Sequence, residues 1–298
     1  MSPENTLHTG LIEAAPRVSE FRRFVRAFCG RGLVVFGLIV IVVFLLTAAF
    51  GPWIAPYDPY EQRPDKSLSQ PSREHLLGTD LLGRDTLSRV IYATRSTLMV
   101  GVIALGIAAI IGMATGLIAG YFGGWVQIGI MRIIDALMAF PMILLALLIA
   151  GLLGGGLRNI MIALGIALVP GYARLMCNQV LSTKENDYIL AGHSIGASNI
   201  RLMLRHILPN CLPPFIVMIT MMMGMTILAE AGLSFLGIGI QAPSAAWGGM
   251  ISDGYQFLLT NPVLAFAPGI CVMLVVFSFN MVGDGLRDAL DPRLRGTL

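Results

Sequence analysis

Long apolar runs separated by polar segments dominate the pattern of this chain. A helix of ~20 apolar residues crosses the roughly 30 Å hydrocarbon core of a bilayer, and it bonds its backbone polar groups internally. Six runs have this character, namely Gly32–Phe50, Leu98–Gly120, Ile128–Leu153, Asn159–Val180, Leu212–Phe235 and Val263–Val282. The pattern therefore predicts an all-α integral membrane protein with six transmembrane helices.

Composition and charge agree with a membrane protein. The chain is 56% hydrophobic and 12% charged, whereas a typical soluble domain carries roughly 25% charged residues. The net charge is +3 and the basic residues cluster at the ends of the runs, which indicates control of topology rather than nucleic-acid binding. The four scattered cysteines form no CxxC motif, so we expect small apolar side chains rather than disulfides or metal ligands. They are Cys29, Cys177, Cys211 and Cys271.

The basic residues also predict the orientation. Arginines precede the first run and follow the last one, whereas segment 236–262 contains neither lysine nor arginine. The positive-inside rule then places both termini in the cytoplasm. A signal peptide is the alternative interpretation of the first run, but that run is longer than the usual apolar region of about 7–15 residues.

These elements divide the chain into successive parts. They are a cytoplasmic tail (1–31), a first transmembrane helix (32–54), an extracytoplasmic loop (55–97), a five-helix core (98–287) and a cytoplasmic tail (288–298). The loop contains a glycine-punctuated turn that brings Asp80, Arg84 and Asp85 near one another, and we interpret it as internally salt-bridged. A phosphate-binding loop would need a lysine and a flanking strand, and this turn has neither.

Several features inside the runs carry structural predictions. Gly112, Gly116 and Gly120 follow the small-xxx-small spacing that allows transmembrane helices to approach closely. Pro141 is expected to kink the third helix without ending it, and Pro170 to interrupt the fourth.

Few polar residues stand within the runs, and these are candidates for a pathway or a structural role. Arg132 and Asp135 have the i, i+3 spacing of an ion pair on one helical face. Glu230 stands toward the outer end of the fifth run, either as a functional group or as a hydrated one. Asn280 and Asp284 complete the set.

A polar segment from Asp187 to Asn210, within residues 182–210, interrupts the apolar pattern on the predicted cytoplasmic side. Its pattern predicts two short helices hinged at Gly196 and stopped at Pro209. Apolar residues recur at three- and four-residue spacing, while Arg201 and Arg205 lie on another face. Two interpretations are open: a knob that fits the groove of another protein, or a loop packed on its own chain.

At this point the motifs resemble a known family. The segment Asp187–Asn210 resembles the EAA loop of bacterial ABC importer permeases. The motifs Gly78-Thr-Asp-Leu-Leu-Gly-Arg-Asp85, Leu233-Ser-Phe-Leu-Gly-Ile-Gly239, Trp247-Gly and Gly283-Asp-Gly-Leu-Arg-Asp-Ala-Leu-Asp-Pro292 are similar to its dipeptide/oligopeptide/nickel subfamily. Within that subfamily the chain is most similar to the second permease of the heterodimer.

The resemblance implies a type I importer permease in the bacterial inner membrane, with ATP-driven import of a di- or oligopeptide, nickel, a metal chelate or glutathione. The implied partners are a homologous permease, two ATP-binding subunits that hold ATP and magnesium, and an extracytoplasmic binding protein. The chain itself would bind no cofactor or metal and carry no catalytic residue. Residues 55–97 would form a scoop-like loop that meets the binding protein and the partner permease.

The resemblance also assigns the ATPase-coupling loop. Its residues would be Asp187, Leu190, Ala191, Gly192, Gly196, Ala197, Ser198, Arg201, Arg205, His206 and Pro209. The namesake Glu-Ala-Ala is replaced here by Leu190-Ala191-Gly192, so the acidic contact expected of that glutamate is missing. We expect shape, apolar contact and arginine to hold the ATPase instead.

Two other function classes remain for comparison. A stand-alone secondary transporter would need buried coupling charges near the midplane and paired broken helices. A membrane-embedded hydrolase would need a nucleophile and a base within the spans, whereas the four histidines stand in the tail, the loop and the polar segment. They are His8, His75, His193 and His206.

Overall fold

The computed structural model describes Val25 and residues 28–290. Most of this part of the chain is helical. The helices are α1 (Gly32–Ile54), α2 (Thr86–Phe122), α3 (Gly124–Met138), α4 (Met142–Leu153), α5 (Leu157–Lys184), α6 (Asp187–Ser194), α7 (Asn199–Phe235), α8 (Trp247–Tyr255) and α9 (Val263–Leu290). The predicted tail arginines before Val25 and after Leu290 lie outside the described residues.

Length and apolar character allow five of the described helices to cross a membrane, and α3 with α4 adds a sixth crossing when this bent pair is counted as one span. This confirms the all-α membrane fold. The long helix α2 defines two ends of the bundle. We call the end at Thr86 the loop end, because the loop 55–85 lies there, and the end at Phe122 the knob end.

Helix α2 begins earlier than the apolar pattern predicted, at Thr86 rather than at Leu98. The first turns are polar, so hydropathy does not detect them. Asp85 starts the helix as its N-cap, because its carboxylate accepts a hydrogen bond from the backbone N–H of Ser88 at 2.8 Å. The predicted loop is therefore non-helical only as far as Asp85, apart from a short 3₁₀ turn at Pro64–Lys66.

The two proline predictions were wrong. Helix α3 ends at Met138 and α4 begins at Met142, and the two axes are bent by 89°. Pro141 ends the helix because it disfavours helical geometry in the residue before it and has no N–H to donate. Pro170, in contrast, lies inside the unbroken helix α5. It is buried in the packed interior, where packing offsets the lost hydrogen bond.

The seam between α2 and α5 is the most extensive helix contact among the described residues, and it confirms the small-xxx-small prediction. A Cβ atom added at Gly116 would lie 2.7 Å from Cβ of Met176, and one added at Gly120 would lie 2.7 Å from Cβ of Val180. Real Cβ atoms essentially never come this close. The glycines therefore set the distance between the two helices, and Tyr172 fills the next position beside Gly112.

Candidate functional site

The segment Asp187–Asn210, which we call the knob, contains the predicted glycine hinge. Helix α6 ends in a Schellman motif, in which Ala197 N–H donates to the Gly192 carbonyl and Gly196 N–H donates to the His193 carbonyl, both at 3.0 Å. Gly196 has φ +79°, a left-handed conformation that favours glycine. Ser198 then begins α7, because its hydroxyl accepts a hydrogen bond from Arg201 N–H at 3.4 Å.

A stretch of π-helix follows at Leu202–Ile207 within α7. Here Leu208 N–H donates to the Met203 carbonyl, five residues earlier. Pro209 has no N–H to donate, and its ring would clash with the carbonyl four residues before it. The wider π turn accommodates the proline, so the predicted stop at Pro209 was wrong and the helix continues to Phe235.

The inner face of the knob packs on its own chain. Ile189, Leu202 and Ile207 are 2%, 1% and 0% exposed. A Cβ atom added at Gly192 would lie 2.7 Å from Cδ2 of Leu202, so α6 and α7 cross closely at this glycine.

Polar contacts fasten the knob to the end of α2. Tyr121 Oη donates to Asn199 Oδ1 at 2.8 Å, and its ring stacks on His193 with 6.3 Å between the ring centres. Beside this contact, Lys184 at the end of α5 donates from Nζ to the Gly120 carbonyl of α2 at 3.1 Å. The knob is thereby joined to the end of the glycine seam.

The opposite face of the knob is apolar and uncovered. Its side chains are Tyr188, Leu190, Ile195, Ile200 and Leu204, of which Ile195 is 86% exposed and Leu190 is 58% exposed. Asp187, Ala191, Ser198, Arg201, Arg205 and Pro209 are also exposed, whereas Ala197 and His206 are partly buried. No ion pair within the described residues engages Arg201 or Arg205. The knob thus combines both interpretations, with one face packed on its own chain and the other free for a partner.

The turn at the loop end is salt-bridged as predicted. Asp80 Oδ2 accepts from Arg84 Nε at 2.6 Å and lies 3.5 Å from Arg89 Nε. Its other oxygen accepts from the backbone N–H groups of Leu82 and Arg84, both at 2.9 Å. Asp80 therefore stabilises the turn through contacts with the loop itself and with the start of α2.

Asp85 connects two residues that sequence reasoning did not single out together. His75 Nδ1 lies 2.9 Å from Asp85 Oδ1, while Ser88 Oγ donates to Asp85 Oδ2 at 2.7 Å. A nucleophilic serine would bond to the histidine, but here the carboxylate lies between the two side chains. This arrangement anchors the start of α2 and does not activate a nucleophile. The Asp-x-x-Ser spacing at a helix start was the available signal.

The predicted ion pair between Arg132 and Asp135 was wrong. Asp135 pairs instead with Arg174, which stands on the neighbouring helix α5. Arg132 is exposed and forms no ion pair with any described residue. Because α3 packs against α5, Arg174 is the cation that reaches Asp135. Residue spacing along one helix cannot reveal such a partner.

Glu230 lies deep in the packing rather than near a hydrated surface. The residue is 0% exposed. Ser234 Oγ donates to Glu230 Oε1 at 2.7 Å and itself accepts from Ile240 N–H at 3.2 Å. This chain of hydrogen bonds fixes the end of α7 to the following turn. In α9, Asn280 Nδ2 bonds to the Val276 carbonyl at 2.9 Å, and Asp284 is partly buried.

Comparison with known families settles what kind of protein has this architecture. Residues 112–296 match the family described as binding-protein-dependent transport system inner membrane component. Residues 19–71 match the N-terminal transmembrane domain of oligopeptide transport permease C. The chain belongs to this family of transporter permeases. It is a multi-pass inner-membrane permease of an ATP-driven importer, as the motifs indicated.

Curated relatives agree over nearly the whole chain. It is 45% identical to the dipeptide transport system permease protein DppC of Alkalihalophilus pseudofirmus, over 93% of this chain and 91% of the relative. It is 41% identical to the glutathione transport system permease protein GsiD of Escherichia coli, over 93% and 90%. The corresponding protein of Pectobacterium atrosepticum is 38% identical over 92% of each chain.

A solved structure shows the same fold. One chain of the MetNI methionine ABC transporter, in inward-facing conformations, has a TM-score of 0.54 and 15% sequence identity. The similarity covers 68% of this chain and 96% of that chain. At this identity the likeness establishes the fold alone, which is that of a type I ABC importer permease.

Proposed function

We propose that this permease imports small peptides, in a complex with a second homologous permease, two ATP-binding subunits and an extracytoplasmic substrate-binding protein. The observation that carries the substrate class is the 45% identity to a dipeptide permease over 93% of the chain, followed by 41% to a glutathione permease. Both names specify short peptides. Nickel and metal chelates, which the subfamily resemblance left open, are therefore the less favoured substrates.

The knob is the proposed docking site for the ATP-binding subunits. A helical segment that is buried on one face and exposes an apolar surface on the other has the features of a helix that binds in a partner's groove. Leu190 is 58% exposed and occupies the position at which the EAA motif carries its glutamate. Apolar contact, with Arg201 and Arg205 at the margin, would then replace the acidic contact. ATP and magnesium would be bound by the partner subunits.

This assignment fixes the proposed orientation. The knob end faces the cytoplasm together with both termini, and the loop end faces outward. In support, Arg31 Nη1 lies 2.7 Å from Asp288 Oδ2, which joins the start of α1 to the end of α9 at the knob end. The basic residues around both termini agree with the positive-inside rule.

The geometry also suggests how force would travel. Movement of the knob reaches α2 through the Tyr121–Asn199 hydrogen bond, and the glycine seam, together with the Lys184–Gly120 hydrogen bond, passes it to α5. The 89° break between α3 and α4 supplies a joint next to these rigid helices. Alternating access requires such rigid-body motion of packed helices about a few joint residues.

Reconstitution tests the proposed function. Vesicles containing both permeases, the ATP-binding subunits and the binding protein should take up a labelled dipeptide only with ATP. A nickel salt offered in its place should not accumulate. Proton-driven dipeptide uptake by this chain without ATP-binding subunits would contradict the proposal and favour a secondary transporter.

A matched pair of variants tests the docking face. Leu190→Ser should reduce copurification of the ATP-binding subunits, because it removes an exposed apolar contact from the knob. Leu76→Ser, at the loop end, is the control because Leu76 is 61% exposed and Leu190 is 58% exposed. Docking that rests on apolar contact should also change little with ionic strength. Equal copurification by both variants would contradict the assignment of the knob.

A further inference from the structure

Two adjoining cavities lie at the loop end, between the loop 55–85 and the segment around α8. Each has a volume of about 260 Å³. Five residues line both cavities, and three of these are charged, namely Arg84, Arg89 and Asp253. The charged side chains therefore lie where the two cavities meet.

The two arginines are buried, and they share one carboxylate. Arg84 and Arg89 are 6% and 4% exposed, and both contact Asp80. Arg89 Nη1 also donates to the Pro59 carbonyl at 3.1 Å. The terminal nitrogens of Arg84 have no hydrogen-bond partner among the described residues, although this side chain lines both cavities. A buried guanidinium with open donors is suited to a carboxylate, which it can bind through two parallel hydrogen bonds.

Asp253 supplies the opposite charge on the same wall. No ion pair joins it to either arginine within the described residues, so its oxygens are open to a ligand. The residue is exposed at the surface; desolvation by the neighbouring wall raises the pKa of its carboxyl, and the positive charges of Arg84 and Arg89 oppose that rise. With Asp80, the four charges sum to zero. A balanced site of this kind favours a molecule with both charges over a simple anion or a metal cation.

The two cavities differ in the remainder of their walls. The first is mainly apolar, with Leu81, Leu82, Phe257 and Leu264. The second is mainly polar, with Ser234, Gln241, Ser244 and Ser252. A ligand at the junction would place an apolar side chain in the first cavity and peptide groups in the second.

We propose that these cavities form a binding site for a small zwitterion of the amino-acid or short-peptide class, with its carboxylate on Arg84 and its ammonium group on Asp253. The site is on the permease itself and separate from the binding protein. The choice of peptides as the ligand class rests on the proposed function. The site would receive peptide at the outward-facing end before translocation.

Ligand analogues test the site on the unaltered protein. The probe is labelled alanyl-phenylalanine, and binding to the purified permease pair with its ATP-binding subunits, without binding protein, is measured by equilibrium dialysis. The C-terminal amide and the N-acetyl derivative should each bind at least tenfold more weakly, since each lacks one charge. Equal binding of the free peptide and both analogues, or no binding of any of them, would overturn the proposal.

Two variants assign the charges. Asp253→Asn should remove the preference for the free amine and keep the preference for the free carboxylate, whereas Arg84→Lys should weaken the carboxylate preference. Asp65→Asn is the control, because Asp65 is exposed and lies outside both cavities. Unchanged analogue preferences in Asp253→Asn would overturn the ammonium assignment. Normal ATP-driven dipeptide uptake combined with no direct binding would remove this site and leave the proposed function standing.

Discussion

Tyr121 Oη donates a 2.8 Å hydrogen bond to Asn199 Oδ1, across 78 positions of the chain. Tyr121 stands in the last turn of α2, and Asn199 is the first residue of α7. The same tyrosine ring stacks on His193 in α6. One side chain therefore joins both helices of the knob to the helix that carries the glycine seam.

This contact leads to the first prediction. Tyr121→Phe keeps the ring that stacks on His193 and removes the hydroxyl, a loss of about 1 kcal/mol for a neutral hydrogen bond. In reconstituted vesicles we expect ATP hydrolysis to continue while peptide uptake per ATP falls several-fold. Tyr92→Phe on the same helix is the control. Its ring packs on Tyr60, at the opposite end of α2, and its uptake per ATP should be normal. If both variants took up the same amount of peptide per ATP hydrolysed, a role of Tyr121 in coupling would be excluded.

The second prediction concerns the hinge at Gly196. Its φ of +79° costs a residue with a Cβ atom roughly 1–2 kcal/mol, and nothing within 4 Å would obstruct that Cβ. Gly196→Pro should abolish uptake with membrane insertion intact, and Gly196→Ala should reduce uptake. Gly196→Asn should retain more activity than Gly196→Ala, because asparagine tolerates the left-handed region. An alanine variant as active as the asparagine variant would show that backbone strain is not the cause.

The third prediction concerns the seam. Gly116→Leu should prevent α2 and α5 from packing, because Cβ alone would lie 2.7 Å from Cβ of Met176. Overpacking of this kind typically destabilises a protein by about 1–3 kcal/mol. We expect the cost of a leucine side chain at this backbone contact to lie at the upper end of that range. The melting temperature of the detergent-purified protein should fall. Gly106→Leu is the control, because a Cβ there meets nothing within 4 Å, and equal melting temperatures would contradict the seam.

Sequence reasoning succeeded where a feature depends on local pattern. Apolar runs located the crossing helices, the glycine spacing located the seam, and Gly196 located the hinge. It failed where the deciding contact lies on another element. Asp135 pairs with Arg174 on a neighbouring helix rather than with Arg132 on its own, and no periodicity reports that choice.

The prolines show the same limit. Pro141 and Pro170 have the same intrinsic effect on a helix, yet one separates two helices and the other lies within one. Residue 141 is exposed and residue 170 is buried among packed helices, a difference that only the tertiary structure supplies. The two cavities at the loop end likewise join parts of the chain that are distant in sequence. The motif around Asp80 therefore pointed to the wall that contains Arg84 but not to the wall that contains Asp253.

The last prediction concerns Glu230 and Ser234. Their hydrogen bond lies at the end of α7 and is continued by Ile240 N–H, so we expect Glu230 to act in packing rather than on the pathway. Glu230→Gln retains an acceptor for Ser234 and should leave the uptake kinetics unchanged. Glu230→Leu and Ser234→Ala should each lower the melting temperature. In the double variant the melting temperature should fall by less than the sum of the two single decreases, because both substitutions remove the same hydrogen bond. A changed substrate affinity in Glu230→Gln with an unchanged melting temperature would instead place this carboxylate on the pathway.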